Sequence, residues 1–196
     1  MLVQIPEQLS RWSGGVILPA SFRRIAAVVA GACAAFSGLA AESPDAPAIQ
    51  TRGIETRRLT RELETKRTTV RRLACDAGIP PDFALAVLDK ESGFDNTMRG
   101  SMGEIGASQI LPATAFALGL DVRRLAVEFA YNAKAGVAIL QSLLAKAQGD
   151  QVKALCHYRA GPRWFRLPPR AQRRVRAYAS AVVEIMKTRY AGVSCP

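Results

Sequence analysis

A single glutamate, Glu91, closes the apolar run "FALAVLDK" (residues 83–90) and is followed by "SGFDNTMRGSMGEIGASQILPATA", Ser92 to Ala115, which is rich in glycines, amides and hydroxyls and sparing in charge. A carboxylic acid set against Val87, Leu88 and Phe94 is partly withdrawn from water, which disfavours its ionised form and raises its pKa toward the range useful for donating a proton. Such an acid protonates a leaving oxygen. Spacing alone leaves a second reading open, a solvated glutamate paired with Lys90 or Lys134. Metal chemistry has little footing: the only histidine, His157, adjoins Cys156 without a second ligand pair, and the cysteines fit no zinc spacing. No metal site and no cofactor is expected.

The elements that would carry Glu91 are helices. In "GIPPDFALAVLDKES", Pro80 and Pro81 fix a helix entry and Asp82 falls in the first turn. Phe83, Ala84, Val87 and Leu88 form its apolar face, so Glu91 lies on its last turn. Gly93 to Gly106 has four glycines and no sustained period, and reads as a long loop. Pro112 suits the first turn of the next helix. Further helices are predicted from about 124 or 126 to 147, from 151 to 158 and from 169 to 190. Upstream, Ile54, Leu59, Leu63, Val70, Leu73, Ala74 and Ala77 recur at near-helical spacing, which predicts an amphipathic helix ended by Gly78. No segment alternates as a strand does, so the fold class is mainly α.

The N-terminus reads as a targeting segment. Arg23 and Arg24 precede the uncharged run "IAAVVAGACAAFSGLA", which ends in small residues before the acidic "AESPDAP". That order is the pattern of a secretory signal peptide over 1–41, cleaved near Ala40 or Ala41. The run is shorter than the ~20 residues a membrane-spanning helix needs. The chain is therefore expected to be exported and periplasmic, with a linker over 42–53. Cys75, Cys156 and Cys195 would then sit in an oxidising compartment where two of the three can pair. The formal net charge of the 196 residues is +11, which favours polyanionic partners. Export turns that preference from nucleic acid toward anionic wall polymers and lipid head groups.

Four blocks, "ESGF", "GEIGASQILPATA", "NAKAGVAIL" and "HYRAGP", occur in the order and at roughly the intervals of the soluble-type (SLT) lytic transglycosylases. The chain between 79 and 190 resembles that family, whose domain is a lysozyme-like helical fold with a long Gly-rich loop after the catalytic helix; 191–196 would be a tail. The resemblance implies that Glu91 is the catalytic acid and then base. It implies substrate-binding roles for Ser92, Ser108, Gln109, Asn132 and Tyr158, the last with its hydroxyl facing the acid. Gly103 and Gly106 match glycines that let the loop backbone pass close to sugar. Four positions depart from the family's pattern: Ala107 and Ser108 stand for Leu-Met, Arg159 for Asn, and Glu104 for Ala. An outward surface arginine is the plainer expectation for Arg159, and a partner for a substrate carboxylate the other.

The implied activity is cleavage of the β-1,4 bond between N-acetylmuramic acid and N-acetylglucosamine in peptidoglycan, with a 1,6-anhydromuramyl product. The implied setting is wall remodelling or the insertion of an envelope-spanning secretion or conjugation apparatus, by a chain expected to act as a monomer. Two alternatives remain: a wall-binding module without turnover, and a hydrolytic muramidase like goose-type lysozyme, using Asp95 or Glu104 as second carboxylate. The arginine-rich, acid-free stretch from Arg159 to Tyr178, with Trp164 and Phe165, suits anionic surfaces, sugar stacking or a plain solvated helix face. No specific nucleic acid is expected as partner.

Overall fold

The computed structural model describes residues 46–195, with side chains from Ile54 onward. The expected signal peptide lies outside the described residues. Seven helices follow in order: α1 (Ala46–Asp76), α2 (Pro81–Ser92), α3 (Pro112–Ala117), α4 (Val122–Val127), α5 (Phe129–Lys146), α6 (Gln151–Ala160) and α7 (Pro169–Arg189). A 3-10 turn, Trp164–Arg166, joins the last two. Among the described residues only isolated bridges at Arg99, Ile105 and Ile110 have strand pairing, and no helix is long and apolar enough to cross a membrane.

α2 is the axis of the domain. Pro81 starts it, and Phe83 through Leu88 are all buried, at most 3% exposed. Burying Phe83, Leu85, Val87 and Leu88 contributes about 1.5–3 kcal/mol each in transfer free energy. α1, α5 and α7 pack around it, and α6 bridges α5 and α7. At its end Gly93 takes the left-handed conformation (φ 62°) and donates its N–H to the Asp89 carbonyl, a termination that favours glycine because it lacks Cβ. Asp89 accepts from the Tyr190 hydroxyl at 2.9 Å and from Arg189 at 3.0 Å, tying α2 to the end of α7.

Three boundaries differ from the sequence reading. α1 begins at Ala46, so part of the stretch expected as linker is helical, and Ile54 and Leu59 of its expected apolar face are exposed. Only the later turns, through Val70 and Ala74, enter the core. The single helix predicted up to 147 is two, broken at Glu128, which is extended (φ −103°, ψ 102°). The break has a visible cause: the Leu125 carbonyl accepts from the side-chain amides of Asn132 at 3.1 Å and Asn96 at 3.3 Å. α6 runs to Ala160, which places Arg159 on the helix.

Between α2 and α3 the loop folds onto a second small core of Ile105, Ile110, Ala115, Leu125 and Ala135. Ile105 and Ile110 exchange backbone hydrogen bonds at 2.9 and 3.1 Å across a tight turn. Gly106 (φ 70°) opens that turn, and a Cβ there would fall on the Asn132 and Asn96 side chains. Gly136 lets α5 approach equally closely, since a Cβ on it would strike the Ser108 hydroxyl and Cβ. Cys75 at the end of α1 is bonded to Cys195, while Cys156 is free and buried.

Two outcomes are expected. Gly136→Ala lowers stability by about 1–3 kcal/mol through overpacking, and Ser108→Gly in the same background restores part of it; urea unfolding of the three proteins checks this. The disulfide closes a span of 120 residues, for which chain entropy sets a limit of about 4–5 kcal/mol. Cys75→Ser therefore lowers the unfolding midpoint, and dithiothreitol brings the parent chain to the variant's midpoint while leaving the variant where it was.

Candidate active site

Glu91 reaches from the last turn of α2 toward α7, where the Tyr178 hydroxyl donates to its Oε1 at 2.5 Å. Burial raises the carboxyl's pKa above the ordinary glutamate value, and the negative charge of Glu104 adds to the rise. The Tyr178 hydrogen bond, then the Arg159 charge and more weakly Lys90, oppose it without cancelling it. The solvated Glu91 paired with a lysine is thus not what the chain folds into. Tyr158 and Tyr178 are both held well above the usual tyrosine range by burial and by the nearby Glu91 carboxylate. Both hydroxyls stay neutral, so the acid is surrounded by groups that orient hydrogen bonds without adding charge.

The residues expected to bind substrate divide into two sets. Ser108 and Asn132 are wholly buried, and Ser92 nearly so. Their polar atoms serve the loop: Asn132 Oδ1 accepts from Ser108 N at 2.8 Å while its Nδ2 donates to the Ile105 carbonyl at 2.9 Å. Ser92 Oγ donates to the Ala107 carbonyl at 2.8 Å, and Asn96 Oδ1 accepts from Ala107 N. The Tyr158 hydroxyl donates to the Ser108 carbonyl at 2.6 Å rather than to Glu91. These side chains fasten the loop from beneath, because irregular backbone buried in a fold must still satisfy its N–H and C=O groups.

The second set lies nearer the surface. Gln109 (φ 45°) is half-buried and donates to the Gly106 carbonyl at 2.9 Å. The Glu104 carboxylate accepts from Met102 N at 2.8 Å, and a Cβ on Gly100 would fall on it and on Gln109 Oε1. Glu104 and Gln109 therefore share one end of the loop. Arg159 is not the outward surface residue: it is half-buried, with its guanidinium 5.5 Å from the Tyr178 ring. Asp95 is committed elsewhere, accepting from Thr97 N and Oγ1 at 2.8 and 2.7 Å, which holds its pKa below the usual value. Trp164 packs against the core with Arg176 over its ring at 5.1 Å, so its face is not open, while Phe165 is 56% exposed.

Tyr178 is the site residue that the sequence reading missed. Its signal was present: Ala171, Val175, Ala179, Val182 and Met186 form the buried stripe of α7, and Tyr178 lies on that stripe. A tyrosine on a buried face needs a partner for its hydroxyl.

The family model described as Transglycosylase SLT domain matches residues 68–178, a span that includes both Glu91 and Tyr178. Two solved structures share the fold. An inactive mutant of lytic transglycosylase Slt from Pseudomonas aeruginosa is 23% identical with a TM-score of 0.52, the match covering 61% of this chain and 23% of that one. The 70 kDa soluble lytic transglycosylase of Escherichia coli is 20% identical with a TM-score of 0.53, over the same shares. The chain thus spans about a quarter of the length of these relatives. With its helical architecture and a match over more than half of its residues, this chain belongs to the transglycosylase SLT domain family.

Proposed function

We propose that the chain is a peptidoglycan lytic transglycosylase that cleaves the β-1,4 bond between N-acetylmuramic acid and N-acetylglucosamine, with Glu91 as its acid and base. The observation that carries this reading is the desolvated Glu91 carboxyl bonded to a neutral tyrosine. Protonated Glu91 gives its proton to the glycosidic oxygen as the bond to the muramyl anomeric carbon breaks. The muramyl 6-hydroxyl then bonds to that carbon and passes its proton to the Glu91 carboxylate. No water is consumed, and the enzyme returns to its starting protonation state. Between these steps the anionic carboxylate is stabilised by the Tyr178 hydroxyl and by the positive charge of Arg159.

Export through the N-terminal segment, with action in the periplasm, fits this substrate. Opening the wall for remodelling or for an envelope-spanning apparatus is the role proposed for it. The exposed Phe165 and the arginines around it, among them Arg163, Arg166 and Arg170, suit an anionic wall or lipid surface that keeps the enzyme near its polymer. A second reading, hydrolysis, has one observation in its favour: the Glu104 carboxylate is close enough to act electrostatically on Glu91, and two carboxylates are the usual equipment of a hydrolytic glycosidase.

Digestion of purified peptidoglycan, with mass spectrometry of the released fragments, separates these readings. Ends carrying 1,6-anhydromuramic acid, absent with Glu91→Gln, are expected. Reducing ends that take up solvent oxygen would establish hydrolysis instead, and wall binding without release by either protein would leave a binding module. Tyr178→Phe removes the hydrogen bond that lowers the Glu91 pKa. The acid then stays protonated to higher pH, so the alkaline limb of the rate profile moves upward. The maximal rate falls about 10- to 100-fold, as expected for one hydrogen bond to a charged group.

A further inference from the structure

We propose that Arg159 is a substrate-binding group which takes a carboxylate on the muramyl side of the glycan and thereby selects and orients the strand; this rests on the glycan-cleaving reading above. Arg159 follows Tyr158 on the last turn of α6, and the Tyr158 hydroxyl bond to Ser108 holds that turn against the loop. The guanidinium lies over the ring of Tyr178, whose hydroxyl is on Glu91. It is therefore beside the reacting acid and supported on an aromatic face.

Its hydrogen-bonding capacity is unspent. Arg67, Arg124 and Arg189 are paired with Glu64, Glu128 and Asp89, and Arg99 caps backbone carbonyls. Among the described residues no carboxylate lies within 4 Å of the Arg159 nitrogens and no acceptor is hydrogen-bonded to them; its contacts are the Tyr178 ring and the field it exerts on Glu91. A guanidinium held over an aromatic face keeps its N–H groups for hydrogen bonding, and its fork suits bidentate binding of a carboxylate. Burial outweighs the Arg159 charge in setting the direction of the Glu91 pKa, and among the described residues no ion pair joins the two. The positive charge is left for an incoming anion.

Along a glycan strand the carboxylates belong to the muramyl unit alone. One source is the lactyl carboxylate, free when the stem peptide has been removed. The other is the stem peptide itself. N-acetylglucosamine carries none. A carboxylate anchor beside Glu91 therefore distinguishes the two sugars and sets which of them presents its anomeric carbon to the acid, the condition for attack by the muramyl 6-hydroxyl.

Binding to Glu91→Gln, measured by calorimetry, keeps the ligands intact. The ligands are soluble stem-bearing strands, amidase-stripped strands, and the carbodiimide-amidated form of each. We expect Glu91→Gln to prefer one anionic form over its amidated counterpart about tenfold, and Arg159→Gln in that background to collapse the preference to within about twofold; a tenfold factor is about 1.4 kcal/mol. The pair that carries the preference names the source of the carboxylate. No preference in the first protein, or the same preference in both, overturns the assignment. Thermal unfolding of the two proteins shows whether Arg159→Gln has disturbed the fold. Because the readout is affinity, a parent chain that releases no 1,6-anhydro product sinks the transglycosylase reading without touching this result.

Discussion

The rest of the site depends on the withdrawal of the Glu91 carboxyl from water at the end of α2. Desolvating an acid penalises its charged form, and here burial is the largest influence on the group. The cost is paid in stability. A folded-state pKa above the unfolded one stabilises the fold fully below the unfolded pKa, and that contribution is lost as pH rises through the folded value. At neutral pH the chain carries a group it would be more stable without, as strained or desolvated groups at functional sites commonly are. The surrounding choices limit that cost without abolishing it. Tyr178 supplies a neutral donor, and among the described residues no carboxylate is hydrogen-bonded to Glu91.

A carboxyl at a helix end is useful only if the facing wall stays in place, and that wall is loop. Gly93 and Phe94 both take positive φ as the chain leaves α2, and the segment that follows is held internally only by tight turns and isolated bridges. Three buried side chains and the half-buried Tyr158 add the anchoring. Ser92 and Asn96 hold Ala107 from the α2 side, Asn132 holds Ile105 and Ser108 from α5, and Tyr158 holds Ser108 from α6. Three elements thus fix one loop, and the bonds from Ser92, Asn96 and Asn132 lie out of water, where their loss leaves an unsatisfied partner. Gly106 and Gly136 belong to the same device: a Cβ on Gly106 would meet the Asn132 and Asn96 side chains, and one on Gly136 would meet Ser108.

Much of this was legible in residues whose partners are near in sequence or whose roles follow from backbone type. The apolar face of α2, its proline entry and the glycine-rich loop placed Glu91 correctly, and the helical class followed from periodicity. What was not legible depended on distant pairing. Tyr178 meets Glu91 across 87 residues, and nothing local distinguishes it from a core aromatic. Ser108 and Asn132 have the polarity of ligand-binding groups, but polarity does not say whether the partner is a sugar or a backbone amide. The break at Glu128 arises because side chains capture the Leu125 carbonyl, and helical periodicity is blind to that. The cysteine pairing needed the end of α1 and the C-terminus in one place.

The two charged departures from the family's pattern act on Glu91 with opposite sign. Glu104 raises its pKa and Arg159 lowers it. A carboxylate introduced alone beside a buried acid would hold that acid more firmly neutral and slow the release of its proton. A guanidinium introduced alone would favour the carboxylate and leave less of the protonated form to begin the reaction. Present together they offset one another, and burial remains the dominant influence. The pair also divides the labour spatially, since Glu104 belongs to the loop with Gln109 while Arg159 belongs to the helical side with Tyr178. Glu91 thus has a negative group on its loop side and a positive one on its helical side. The acid keeps its poise while its surroundings gain a polarity that an Ala and Asn pair would not supply.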